Sequence, residues 1–275
     1  MSECTGILPN PDVSGIGIRV SLYATIILLA IVPRIPHTAQ LVGALTTSAG
    51  LNGLAVLITA IVQTAQGQLD LYHAIFILHL LAFLGISASP NGLYKWSTLR
   101  VGIVSGSSVL GSLALVCFSF YVWANAPTFG SQPECNSKVI YVILFFPVPA
   151  TATWLRAVLM AGLGLVSIGL LVAMLVLPCL LYARKLRSTQ YNSLHSDADS
   201  ELASGEDDDP NATGVVARLV SAVFGIITLE MTVKANNVDE ENVWSFGQIL
   251  AVVLLFSSLN ELLHFFLGLW RRANK

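Results

Sequence analysis

The chain has 275 residues, of which 55% are hydrophobic and only 11% charged, with a mean hydropathy of +0.73. A soluble domain needs no such composition to fill its core, which excludes a water-borne enzyme and points to an integral membrane protein. The formal net charge of −2 offers nothing to nucleic acid, so no nucleic-acid partner is expected and the charges matter by position.

The opening MSECTGILPNPD has no basic stretch before the first apolar run and does not read as a cleaved signal peptide. Asn10 fits a helix N-cap, Pro11 the first helical position and Asp12 the positive end of the helix dipole. Apolar runs near the ~20 residues that a bilayer core requires follow at about 16–33, 39–62, 71–88, 101–124, 157–182, 214–231 and 246–269. These predict an all-α fold, a single membrane bundle of seven transmembrane helices. The run VIYVILFFPVPA, 139–150, is too short to cross and is broken by Pro147 and Pro149, so it reads as an interfacial or re-entrant piece. Small residues at Gly15 and Gly17, Ala49 and Gly53, Gly102 and Gly106, and Ser107 and Gly111 mark faces where helices can pack closely. Segment 188–213 is polar and acidic and predicts a disordered cytosolic loop.

With the N-terminus outside, only Arg19, Lys138, Arg156 and Lys234 of the 14 lysines and arginines fall in the outer half. The excess on the other side predicts a lumenal N-terminus and a cytosolic C-terminus. Cys4 and Cys135 then both lie where disulfides persist and are expected to pair, whereas Cys117 and Cys179 fall within helices and are expected to be buried apolar residues. Asn211-Ala212-Thr213 fits the glycosylation pattern but lies on the cytosolic side, so no glycan is expected there.

Ionisable groups at membrane depth are functional candidates. Near the inner end of the last helix, Asn260, Glu261 and His264 place a carboxylate and an imidazole three residues apart. A second Glu-x-x-His is absent from the sequence, so a metal is not expected and a hydrogen-bonded pair is the preferred account. His73 lies near the interface and His79 reads as a satisfied interior histidine. The outer half gathers Asp12, Arg19, Glu230, Trp244 and Gln248. Glu230 lies near the C-terminal end of its helix in apolar company, which favours its protonated form, whereas Asp12 at a helix start favours the ionised form. Two readings of Glu230 stay open: a proton donor, or the partner of Arg19 in a buried ion pair.

The stretches Asn10–Arg19 (NPDVSGIGIR), Glu230–Val238 (EMTVKANNV) and Trp244–Gln248 (WSFGQ) resemble recurring signatures of fungal polytopic membrane proteins that include membrane-bound terpene cyclases of the ascofuranone type. The resemblance implies acid-initiated cyclisation of an epoxidised prenyl chain in meroterpenoid biosynthesis. It makes Glu230 the donor and Asp12 the second acid, with Arg19, Asn236 and Gln248 orienting the substrate. It implies a hydrophobic prenylated substrate, no metal or other cofactor, an endoplasmic reticulum location and other enzymes of the same pathway as partners. The alternative is a seven-helix transporter or receptor-like protein without catalysis. Against it stand the lack of NPxxY in the last helix and of an evident internal repeat.

Overall fold

The computed structural model describes residues 4–34, 38–87, 98–194, 212–238 and 244–273. Its long elements are helical: α1 (Pro11–Ser14), α2 (Ile16–Ile31), α3 (Ala39–Ala65), α4 (Leu71–Ser87), α5 (Thr98–Asn125), α6 (Thr153–Leu194), α7 (Ala212–Asn236) and α8 (Phe246–Ala273). Among the described residues, five stretches are long and apolar enough to cross a membrane: Pro11–Ile31, Leu41–Ala65, Val109–Thr128, Thr153–Val176 and Gly214–Asn236. Their surfaces match that role. Leu51, Leu110, Leu165 and Leu175 are all exposed, Leu165 by 73%, a pattern that water would penalise and lipid accepts.

At the centre stands α4, apolar on every side and therefore buried on every side. Tyr72, His73, Ile75, Phe76, Ile77 and Leu80 are almost fully enclosed by neighbouring elements. Helices α2, α3, α5 and α7 all pack against α4, and α8 lies along α2 and α3. Gly53 on α3 meets Leu84 of α4, where an added Cβ would stand 3.1 Å from Cδ2. Helix α6 runs beside α5 and continues to Leu194, so the first residues of segment 188–213 are helical rather than loop; 195–211 lie outside the described residues.

The fold is not wholly α. Residues 140–149 form an antiparallel hairpin of β1 (Ile140–Ile143) and β2 (Phe146–Pro149), with Ile143 opposite Phe146 and Ile140 opposite Pro149. Strand β1 lies along α7. The periodicity did not reveal the hairpin because all of the stretch but Tyr141 is apolar, which hides the alternation that marks a strand.

The end of the molecule that carries this hairpin is tied together covalently. Cys4 and Cys135 form a disulfide with an S–S distance of 2.05 Å. Around it Leu8 N–H donates to Gln132 Oε1 at 3.0 Å, Gln132 Nε2 to Gly6 O at 3.2 Å, and Lys138 Nζ to Cys4 O at 3.1 Å. Gly130 turns the chain at φ +78°, and a Cβ there would collide with the Leu69 carbonyl, so only glycine fits. Cys117 is exposed on α5 rather than buried.

Candidate functional site

The start of the first membrane stretch departs from a simple capped helix. Asn10 occupies the N-cap position, but its side chain makes no capping bond; its carbonyl accepts from Val13 and Ser14 N–H instead. The single turn of α1 ends at Gly15, whose ψ of 154° is extended, and α2 restarts at Ile16. This break opens room for α8. Gly17 N–H donates to Gln248 Oε1 at 2.9 Å, and a Cβ on Gly17 would lie 2.8 Å from Gln248 Cβ and 3.1 Å from Trp244 Cζ3. Asp12 Oδ1 accepts from Gly247 N–H at 3.2 Å, in the first turn of α8. The two glycines and Asp12 therefore seat one helix start against another.

One turn further along α2 is the charged centre. Arg19 Nη1 donates to Glu230 Oε1 at 2.9 Å and to Oε2 at 2.8 Å, and Tyr23 O–H donates to Oε1 at 2.7 Å. Arg19 and Tyr23 are four residues apart on one helix face, which is why both reach a single carboxylate. The pair is asymmetric in exposure: the Arg19 side chain is 10% exposed and that of Glu230 42%. Arg19 Nε is buried with no hydrogen-bond partner among the described residues. In this arrangement Glu230 accepts three hydrogen bonds and donates none. The geometry is that of the ion pair, and a role as donor requires Arg19 to release it.

The other expected site residues are placed elsewhere. Asn236 does not join the cluster: its Oδ1 accepts from Ile140 N–H at 2.9 Å and its Nδ2 donates to Ile140 O at 2.7 Å, so the whole amide is spent on β1. Gln248 is wholly buried between α8 and α2. Asp12 makes no contact with Glu230. Glu261 and His264 are both exposed and share no hydrogen bond, so the expected pair on α8 does not form. Groups of three or more residues suited to hold a metal are absent among the described residues.

Two histidines are fully accounted for. His79 Nε2 lies 3.0 Å from Gly225 O and Nδ1 3.0 Å from Tyr141 O–H, which fits a neutral ring donating from Nε2 and accepting from the tyrosine. His73 pairs with Asp70, which accepts from its backbone N–H at 2.9 Å and lies 2.8 Å from Nδ1. Asp70 is thus the N-cap of α4, and it lines a shallow surface recess together with Ile7, Gln132 and Asn136. Tyr23, Asp70 and Tyr141 were not singled out in the sequence. Spacing carried a signal for two of them: Tyr23 follows Arg19 by four and Asp70 precedes His73 by three.

At the opposite end, burial first and the charge of Arg218 second hold the Arg34 guanidinium below its usual range. No protein family, curated protein or solved structure matches the chain. The fold and the site define a mostly helical protein with, among the described residues, five helices suited to span a membrane and a charged cluster at the disulfide end.

Proposed function

We propose that the chain is a seven-helix membrane-bound terpene cyclase that closes rings on an epoxidised prenyl chain, with the disulfide end lumenal, the C-terminus cytosolic and the endoplasmic reticulum as its membrane. The observation that carries the reading is convergence: of the three short segments that resemble the cyclases, the first lies more than 200 residues before the other two, and all meet at one end of the bundle. Arg19 reaches Glu230, and Gly17 reaches Gln248. The orientation is supported by the Cys4–Cys135 bond, because disulfides persist in oxidising compartments, and by the excess of lysine and arginine toward the other end.

Glu230 is the reacting acid in this reading. Its half-open carboxyl takes up a proton, the substrate oxygen displaces Arg19 Nη1, and the proton passes to the epoxide oxygen as one C–O bond breaks. The alkene electron pair attacks the carbon left positive, and the last cation returns a proton to the carboxylate. The sequence is an isomerisation with no change of oxidation state. Arg19 and Tyr23 then steady the carboxylate that the transfer leaves on Glu230. Asp12, Gln248 and Asn236 act by seating α8 and the hairpin rather than by touching the substrate. The prenyl chain enters sideways from lipid, on the side where the Glu230 carboxyl is open.

A second reading, a transporter or receptor-like protein without catalysis, is favoured by one observation: the Arg19–Glu230 pair is already complete without a ligand. The two separate in yeast microsomes supplied with an epoxidised farnesyl-phenol. The cyclase reading expects ring-closed product from the wild type and none from Glu230→Gln at equal protein level. Absence of product from any prenyl epoxide removes the reading.

A further inference from the structure

We infer that the hairpin of residues 139–150 is a re-entrant membrane element, dipping from the disulfide end to the middle of the bilayer with its tip in the acyl chains. Three observations carry this, and none depends on the cyclase reading.

The first is depth. Ile140 is held by Asn236, the last residue of α7, and Val142 by Thr232, one turn further in. Phe145 at the tip packs edge-on against Phe224, with ring centroids 5.6 Å apart. Phe224 is the central residue of α7 (Ala212–Asn236), a helix apolar enough to span. Extended chain rises ~3.3 Å per residue and helix 1.5 Å. The five steps from Ile140 to Phe145 thus cover roughly the same distance as the twelve from Asn236 to Phe224, so the strand runs parallel to the helix down to its midpoint. Tyr141 reaches an equally deep partner, His79, the central residue of α4 (Leu71–Ser87).

The second is the backbone. A strand pair presents unpaired N–H groups along both outer edges, and hydrocarbon cannot satisfy them. On the outer edge of β1, Ile140 N–H donates to Asn236 Oδ1 and Val142 N–H to Thr232 Oγ1 at 3.1 Å. On the outer edge of β2 the two positions that would carry outward N–H groups are those opposite Ile140 and Val142. They are Pro149 and Pro147, which have none. Every outward donor along the ladder is therefore either received by α7 or absent. Pro149 O accepts from Ala152 N–H at 3.0 Å.

The third is the tip. Leu144 and Phe145 have φ of 46° and 71°, the left-handed pair that a two-residue hairpin turn demands and that Asn-Gly fills most readily. Here both positions carry large apolar side chains, exposed by 62% and 52%, and Phe146 follows at 72%. Residues 139–150 contain no charged side chain, and the one polar side chain, Tyr141, is turned inward to His79. Turn chemistry has been given up for an apolar tip, which suits a hydrocarbon surround.

The test uses the full chain with Cys117 and Cys179 changed to alanine, reconstituted in phosphatidylcholine vesicles, with an environment-sensitive fluorophore on Phe146→Cys. Doxyl groups carried deep in the acyl chains are expected to quench it several-fold more than aqueous iodide, and the label on Lys138→Cys to show the reverse. Iodide quenching at position 146 equal to that at 138 overturns the inference, and so does quenching by neither, which means a protein partner covers the tip. If Phe146→Cys fails to fold, Leu144→Cys carries the same comparison. Pro147→Ala supplies an independent reading: by restoring an outward N–H it lowers the thermal midpoint if the edge faces hydrocarbon and leaves it unchanged if the edge faces water.

Discussion

Arg19 holds both oxygens of Glu230 through one nitrogen, at 2.9 and 2.8 Å, and so fastens α2 to α7 across 211 residues of sequence. Removing either partner leaves the other charge with less solvation than it had in the unfolded chain. The half-open carboxylate moderates the cost, which falls between that of a surface pair and that of a buried one, about 2 kcal/mol. Arg19→Met and Glu230→Gln singly should each lower thermal stability in detergent. The double variant should recover most of the loss, giving a favourable coupling energy in the cycle. Additive losses would mean that the pair carries no net attraction.

The close seat of α8 on α2 rests on Gly17. Alanine there places a methyl 2.8 Å from Gln248 Cβ and 3.0 Å from its backbone oxygen, and a backbone atom cannot yield alone. Gly17→Ala should cost about 1–3 kcal/mol as the helices part. Gly50→Ala on α3, where no atom lies within 4 Å of the added methyl, should be neutral or slightly stabilising. Thermal melts of the two variants side by side check the contrast.

Two tyrosine hydroxyls should differ in worth. Tyr23→Phe removes one of three bonds to a carboxylate that is partly open, at a cost of about 1 kcal/mol. Tyr141→Phe leaves Nδ1 of a buried His79 without its donor, at about 1–3 kcal/mol, and loosens the hairpin from α4. Greater protease sensitivity near residues 139–150 should accompany the second substitution alone.

The disulfide closes a loop of 131 residues. Cys4→Ser should lower stability by about 2–4 kcal/mol. A reductant should bring the wild type down to the same level and leave the variant unchanged; a reductant effect on the variant would point to some other thiol chemistry.

Orientation is open to a direct check. With the disulfide end lumenal, Asn211 stays unmodified, whereas a glycosylation acceptor fused ahead of Met1 receives a glycan. Glycosidase sensitivity of the unaltered chain would reverse the assignment.

The membrane class and the positions of the long helices were legible in the sequence, because apolar runs of bilayer length are a local property that survives without knowledge of partners. The break at Gly15, the continuation of α6 past residue 188 and the hairpin at 140–149 were not. The first and the last are decided by what lies opposite: Gln248 against the Gly15–Gly17 stretch, and α7 against β1. Chain composition alone allowed Glu230 to be either a proton donor or half of an ion pair. Only the packing of α2 on α7 brought Arg19 and Tyr23 onto its oxygens, and only the packing of β1 on α7 took Asn236 away from it. Hydropathy is set residue by residue along the chain. The partners of a carboxyl and of an amide are side chains distant in sequence, so they were settled only in the tertiary structure.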